Sequence, residues 1–186
     1  MFDILIQKDK QVLIYLNSLG NEQWDPFWLF ITNQFNWTPL FLLILFLILK
    51  KLGWKKGGFL FVFLILMVTF SDQFTNLIRV IFERLRPNND TSINHLLRTL
   101  IEPQSFSFTS GHATTSMTFS VFIYFLFKEQ YKYIKLIFIF PLFFAYSRLY
   151  LGVHFPIDII TGATVGSILG CLFYKLNSVL QLKLFR

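Results

Sequence analysis

The chain is expected to fold as an all-α bundle embedded in a membrane, with about five transmembrane helices and an N-terminal amphipathic helix lying on the surface. Three observations point there. Its 186 residues are 54% hydrophobic and 19% aromatic, with a mean hydropathy of +0.56, too apolar for an ordinary water-soluble domain. Apolar runs recur at 38–49, 57–71, 113–127, 133–147 and 157–174, and several reach spanning length once flanking aromatics and snorkelling lysines are included. The lysines crowd the connections between runs instead of forming one polar face.

Residues 2–19 place Phe2, Leu5, Val12, Leu16 and Leu19 on one helical stripe, with Gln7, Lys8, Lys10 and Gln11 mostly elsewhere, which suits an interfacial helix. The alternative, a sixth span over the same residues, is opposed by Lys8, Asp9, Lys10 and Asn17. Gly20-Asn21 breaks this helix, and Trp24, Trp28 and Trp37 stand as interface anchors leading through Pro39 into the first span. Lys50, Lys51, Lys55 and Lys56 mark the first short loop. The second span starts near Gly57 and is expected to continue past the bilayer to Leu85, because Arg79, Glu83 and Arg86 have spacings that share a helix face. Pro87 stops it, and Asn88-Asn89-Asp90-Thr91-Ser92 has turn chemistry. Residues 93–108 then form a polar loop of the kind that covers a site, and Gly111-His112 opens the third span.

A net charge of +7 raises the question of nucleic acid, but the position of the lysines at helix ends answers it with a membrane. Lys128, Lys132 and Lys135 lie in the third connection, and Lys175, Lys183 and Arg186 near the C-terminus. By the positive-inside rule these regions and the 50–56 loop face the cytoplasm. Alternation places residues 86–111 and 148–156 on the outer face, with the N-terminus. The lone Cys171 is read as a small packing residue and implies no disulfide. No cleavable signal peptide is expected, since charges interrupt the first twenty residues. Residues 1–186 read as one domain without repeats.

Chemistry concentrates between residues 79 and 158. Ser147-Arg148 is followed by His154 and, four residues after the histidine, by Asp158, all at a boundary between two apolar segments where an unpaired charge is costly. Pro156 suits the first position of a helix, and a carboxylate at this spacing can hold the far nitrogen of the imidazole, making His154 a nucleophile or base of fixed tautomer. Upstream lie Thr109-Ser110-Gly111-His112, and Arg79 separated by six residues from Arg86-Pro87. Phosphoryl transfer is helped chiefly by donors on the equatorial oxygens. Arg79, Arg86 and Arg148 provide them as planar forks, and the Ser110 hydroxyl and Gly111 amide complete a cradle at a helix start.

In order and spacing these motifs resemble the type 2 phosphatidic acid phosphatase superfamily, which includes vanadium haloperoxidases and bacterial acid phosphatases. The family pattern is K-x6-R-P, P-S-G-H and S-R-x5-H-x3-D. Here Arg79 replaces the lysine, keeping the charge but changing its shape, and Thr109 replaces the proline before Ser110. The resemblance implies that Arg79, Arg86, Ser110, Gly111 and Arg148 bind the phosphoryl group. It further implies that His154 attacks phosphorus, that Asp158 orients it, and that His112 protonates the leaving oxygen and then activates water.

The implied activity is an integral membrane lipid phosphatase of a bacterial cytoplasmic membrane, working through a phosphohistidine. Its expected partners are a lipid phosphate and the bilayer, with no cofactor, metal or nucleic acid. Undecaprenyl diphosphate is the favoured substrate, with phosphatidylglycerol phosphate and the 1-phosphate of lipid A as alternatives. A vanadate haloperoxidase is a rival reading within the superfamily, and a non-catalytic lipid-phosphate binder or transporter is one outside it; the retained histidines and aspartate oppose the latter. Among other polar residues, Glu83 is expected to hold Arg79, Asp72 to pair with a neighbouring helix, His95 to be a solvated or lid residue, and Ser147 to serve packing or site support.

Overall fold

The structure is a computed structural model that describes residues 2–185; Arg186 of the basic tail and the side chain of Phe2 lie outside the described residues. Among those residues all regular elements are helices: α1 (Phe2–Ser18), α2 (Asp25–Thr32), α3 (Thr38–Phe82), α4 (Gly111–Phe127), α5 (Ile139–Tyr150) and α6 (Pro156–Leu184), with short 3-10 turns between them. Two stretches, Gln34–Asn89 and Pro156–Leu184, are long and apolar enough to cross a membrane.

The first of these is folded back on itself. Inside α3, Gly53 adopts φ 71° and ψ 177°, a conformation that glycine reaches without a Cβ penalty, so the lysine-rich loop expected over 50–56 is in fact a break at one residue. Contacts show that the two arms run in opposite directions. Arm 38–52 starts with Trp37 against Phe140 and ends with Lys51 donating to the Leu126 carbonyl, whereas arm 54–82 starts with Phe59 near Phe185 and ends with Arg79 donating to Thr109. The lysines therefore collect at one end of the bundle, and the three sequence motifs at the other.

Arm 54–82 stops earlier than the expected Leu85. Glu83 caps it in the left-handed region at φ 47°, and the residue preceding Pro87, Arg86, is extended at ψ 155°, as steric crowding by the proline ring requires. Arg86 consequently leaves the helix face it was expected to share with Arg79 and Glu83. The fourth apolar run also departs from a simple helix: Ile134–Phe138 is a 3-10 turn leading into α5, whose 12 residues alone rise only about 18 Å.

The core is aliphatic and aromatic, built from Ile44, Ile48, Leu60, Met67, Phe122, Phe127 and Phe144 on four of the helical segments. The closest helix pair is α4 with α6, which run parallel from the motif end. Gly162, Gly166 and Gly170 line α6 at every fourth position, and a Cβ added at Gly162 or Gly170 would stand 2.8 Å from the carbonyl oxygen of Ser110 or Thr118. Small residues at this spacing let two backbones approach where lipid offers no hydrophobic drive to hold helices together.

Helix α1 lies against the motif end with an unexpected face inward. Asp9, Leu13 and Asn17, at i, i+4 and i+8, are its buried residues, while Leu5, Val12 and Leu19 of the expected apolar stripe are 51%, 45% and 58% exposed. Most of the stripe is thus free to meet lipid while Leu16 packs on the protein, and of the polar residues that oppose a sixth span Asp9, Lys10 and Asn17 make protein contacts. Asn17 donates to the Tyr150 and Arg98 carbonyls at 2.7 and 3.1 Å and accepts from the Arg98 amide at 2.8 Å. Helix α2 is fixed to α5 by Asp25, which accepts from the Tyr150 hydroxyl at 2.7 Å and pairs with Arg98 at 2.8 Å; these partners hold the carboxyl below its usual range.

The glycine ridge is expected to be intolerant of volume. Gly166→Ala drives a Cβ into the Thr114 carbonyl and should lower stability by about 1 to 3 kcal/mol, the usual cost of overpacking, read as a fall in melting temperature of the detergent-solubilised protein. Gly58→Ala, with open space around its Cβ, should leave it unchanged.

Candidate active site

The motif end is assembled by the end of arm 54–82 and its link, the 93–110 loop, the start of α4, and the turn joining α5 to α6. That turn requires Gly152, whose φ of 68° is left-handed and whose Cβ would meet the Arg98 carbonyl at 3.1 Å. It reverses the chain, so that Val153, His154 and Phe155 are almost wholly buried before Pro156 opens α6. Asp158, on the first turn of α6, accepts from the Phe155 amide at 2.9 Å and from the Ser107 hydroxyl.

His154 is 1% exposed, with Nδ1 3.5 Å from Asp158 Oδ2 and Nε2 3.0 Å from a terminal nitrogen of Arg86. A guanidinium only donates, so Nε2 carries the lone pair and the ring proton belongs on Nδ1, facing the carboxylate. At 3.5 Å that proton has no close hydrogen-bond partner, and Nδ1 is a buried atom left unsatisfied. Burial keeps the ring neutral, lowering its pKa to about 3 against the opposing pull of Asp158. The arrangement offers a neutral imidazole whose reactive nitrogen is available once Arg86 turns toward another acceptor.

The three expected phosphate-binding arginines share a property absent from the other buried-end arginines. Arg79 donates to the Thr109 carbonyl and Asn76 side chain, both at 3.0 Å; Arg86 donates to the Ser105 and Val153 carbonyls at 2.6 and 2.9 Å; Arg148 donates to the Thr32 hydroxyl at 2.7 Å and leaves its Nε buried without a partner. Among the described residues none of the three has a carboxylate partner, whereas Arg84 and Arg98 do. Positive charge of this kind inside a bundle calls for an anion.

The residues expected to form the cradle lie beside these arginines. A terminal nitrogen of Arg79 lies 3.1 Å from where a Gly111 Cβ would be, so glycine permits the guanidinium to approach the start of α4. Ser110 caps that helix, its hydroxyl accepting weakly from the Ala113 amide at 3.4 Å. His112 stacks on Phe144 with centroids 4.2 Å apart, and its Nε2 lies 3.1 Å from the Thr32 carbonyl, so this nitrogen is the donor.

The structure thus joins His154 to Asp158 and Arg86, Arg79 to Gly111, and His112 to Arg148 by way of Thr32. Several participants were not read from sequence: Thr32, Asn76, Ser105, Ser107, and above all Arg84 and Asp9. Arg84 pairs with Asp158 at 2.7 Å and with Asp9 at 2.6 Å, its guanidinium lying 3.9 Å from the Phe155 ring centroid. The available signal was the second arginine of Arg84-Leu85-Arg86-Pro87 together with an aspartate in an amphipathic helix. Other expectations are corrected. Glu83 is exposed at the helix cap and does not hold Arg79, because the helix ends there. Asp72 engages no neighbouring helix among the described residues; it accepts from Asn76 at 3.3 Å, and Asn76 in turn accepts from Arg79. His95 is exposed, in keeping with a solvated residue, and Ser147 is buried and donates to the Phe144 carbonyl of its own helix, in keeping with packing, whereas Cys171 is half-buried on α6 rather than packed in the core.

The family model of the PAP2 superfamily matches residues 59–181. A lipid A 4'-phosphatase of Bacteroides thetaiotaomicron is 33% identical over 97% of this chain and 84% of its own length. An undecaprenyl-diphosphatase of Sulfolobus acidocaldarius is 28% identical over 81% of this chain and 68% of its own. The crystal structure of a transmembrane PAP2-type phosphatidylglycerolphosphate phosphatase from Bacillus subtilis superposes with a TM-score of 0.76, covering 98% of this chain and 90% of that one at 22% identity, a likeness of fold. With the histidines, the aspartate and the unpaired arginines gathered at one end of an all-helical bundle, and the family pattern extending over most of the chain, the protein belongs to the PAP2 superfamily and is a membrane lipid phosphatase.

Proposed function

We propose that the chain removes a phosphate from lipid A, with the 4'-phosphate as the first candidate, at the outer face of a bacterial cytoplasmic membrane. The geometric observation carrying the phosphatase chemistry is the neutral His154 imidazole against Arg86 at the end of the bundle that also holds the buried Arg148 and the half-buried Arg79, three arginines with no carboxylate among the described residues. Lipid A is preferred to undecaprenyl diphosphate because the likeness to the Bacteroides lipid A 4'-phosphatase runs through nearly the whole chain, including the N-terminal helices outside the family model. The Sulfolobus relative keeps undecaprenyl diphosphate as the second reading.

In this reading the phosphate takes the donors of Arg79, Arg86 and Arg148 together with the Gly111 amide, and Arg86 releases His154 Nε2. That nitrogen attacks phosphorus in line as the bond to the lipid oxygen breaks, giving a phosphohistidine. Asp158 orients Nδ1–H and stabilises the ring's positive form. His112, whose Nε2–H is held on the Thr32 carbonyl, enters the step protonated on both nitrogens beside the bound phosphate, gives its Nδ1 proton to the leaving oxygen, and regains one from the water that frees phosphate, so that the ring ends the cycle as it began. The chain is read as one multi-pass domain of five crossings: the two arms of α3, α4, the Ile134–Phe138 turn with α5, and α6. The fourth pair rises about 28 Å, close to a hydrocarbon core of about 30 Å. The exposed stripe of α1 lies in the outer interface.

Phosphate release from lipid A, undecaprenyl diphosphate and phosphatidylglycerol phosphate in detergent should favour lipid A in kcat/KM by about tenfold or more, a difference of about 1.4 kcal/mol. A preference for undecaprenyl diphosphate would select the second reading. His154→Ala should abolish all turnover, while His112→Ala should accumulate a phosphohistidine from an activated aryl phosphate, detected by rapid-quench mass spectrometry; phosphate found on His112 instead would reverse the roles.

Vanadate, an analogue of the five-coordinate phosphoryl group, should inhibit and raise the melting temperature, with about 2.7 kcal/mol of stabilisation at a hundredfold excess over its Kd. Arg148→Gln should remove most of that shift. Activity should survive chelation of divalent metals.

Single cysteines placed at the N-terminus and at His95 in a Cys171→Ala background should label with an impermeant reagent in intact cells, and cysteines at Lys55 or near the C-terminus should not. The opposite pattern would invert the topology.

A further inference from the structure

We infer that Asp9 and Arg84 are a positioning pair that sets the direction of the Asp158 carboxylate, making the interfacial helix α1 a working part of the reaction centre. This rests on the reading above in which His154 attacks phosphorus.

The two oxygens of Asp158 have separate duties. Oδ1 receives Arg84 at 2.7 Å, while Oδ2 accepts from the Ser107 hydroxyl and the Phe155 amide and faces His154 Nδ1. A carboxylate is planar, so a pull on Oδ1 determines where Oδ2 points. Arg84 is in turn held by Asp9 at 2.6 Å and by the Phe155 ring beneath it. Asp9 also accepts from the Ile157 amide at 2.9 Å, gripping the first turn of α6 on which Asp158 stands. The Asp9 and Asp158 side chains are 1% and 0% exposed, so water contributes little to either.

Charge gives the arrangement a second effect. One guanidinium between two buried carboxylates leaves one net negative charge, and that charge lies where the ring becomes positive during attack. Without the Asp9 carboxylate, Arg84 is opposed only by Asp158, and the net negative charge near the imidazolium disappears. The neighbouring residue Lys10 also fastens α1, pairing with Asp90 at 2.6 Å, but its partners Asp90 and Ser92 have no contact with Asp158. It separates the effect of anchoring α1 from the effect of orienting the carboxylate.

The test is steady-state phosphate release in detergent, with melting temperatures measured alongside, from whichever of lipid A, undecaprenyl diphosphate and phosphatidylglycerol phosphate the wild-type protein turns over fastest. Asp9→Asn should lower kcat about tenfold and Arg84→Gln about a hundredfold, the scale on which a misplaced reacting group fails, with KM within about twofold of the wild type. The Asp9→Asn/Arg84→Gln double variant should be no more than about threefold slower than Arg84→Gln alone, because Asp9 acts through Arg84. Lys10→Gln should lose melting temperature but keep kcat. If Arg84→Gln does not fold, Arg84→Lys, which keeps the charge and loses the fork, takes its place in the same cycle. Unchanged kcat in folded Asp9→Asn, fully additive losses, or an equal fall in kcat for Lys10→Gln would overturn the inference while His154→Ala remained inactive. Activity persisting in His154→Ala would instead overturn the nucleophile assignment, and this inference with it.

Discussion

Three guanidinium groups are held at the end of a membrane bundle with no carboxylate against them among the described residues, and much of the surrounding structure serves to keep them so. Neutral acceptors do the holding: the Thr109, Ser105 and Val153 carbonyls, the Asn76 amide and the Thr32 hydroxyl. These orient each fork without cancelling its charge. The carboxylates nearby are engaged elsewhere, Asp25 by Arg98 and Tyr150, Asp9 and Asp158 by Arg84. Arginines of the same chemistry are thus divided into those neutralised within the fold and those left without a carboxylate among the described residues, the set proposed to hold phosphate.

The cost of that reserve falls on the backbone around it. Turns at Glu83 and Gly152 adopt left-handed conformations, and both deliver site residues immediately afterwards: Arg84 and Arg86 in the first case, His154 in the second. A helix continuing through residue 86 would place Arg86 on the helix side rather than against His154.

Much of this was legible in the sequence because periodicity and motif spacing are local. The apolar runs, the lysine clusters and the spacing of Arg79, Arg86, His112, Arg148, His154 and Asp158 are all set within short windows. What was not legible depends on distance. Glu83 has a suitable spacing to hold Arg79, but a left-handed cap ends the helix before the pair forms, and no neighbour in sequence announces it. Asp9 and Asn17 read as polar interruptions in an apolar stripe; their partners, at Arg84, Arg98 and Tyr150, are 75 to 133 residues away. Thr32 likewise gains its meaning only when His112 and Arg148 reach it from two other helices. Substrate choice was the least legible, since a phosphate clamp reads the phosphate rather than the lipid attached to it.

The glycine ridge between α4 and α6 has an electrical consequence. Parallel helices side by side align their backbone dipoles and repel, and close approach makes the repulsion stronger. Here the two axes are brought together along Gly162, Gly166 and Gly170, and both helices begin at the arginine-lined end. Two positive dipole ends are therefore superimposed on the guanidinium charge, although at α6 the first-turn amides are already taken by Asp9 and the Phe155 carbonyl. In the proposed reading a bound phosphate is then the counter-charge to the fold itself as well as to three side chains, so the protein should be least stable when no anion is bound. In that reading departure of the phosphate leaves the field unbalanced, which favours capture of the next anionic headgroup.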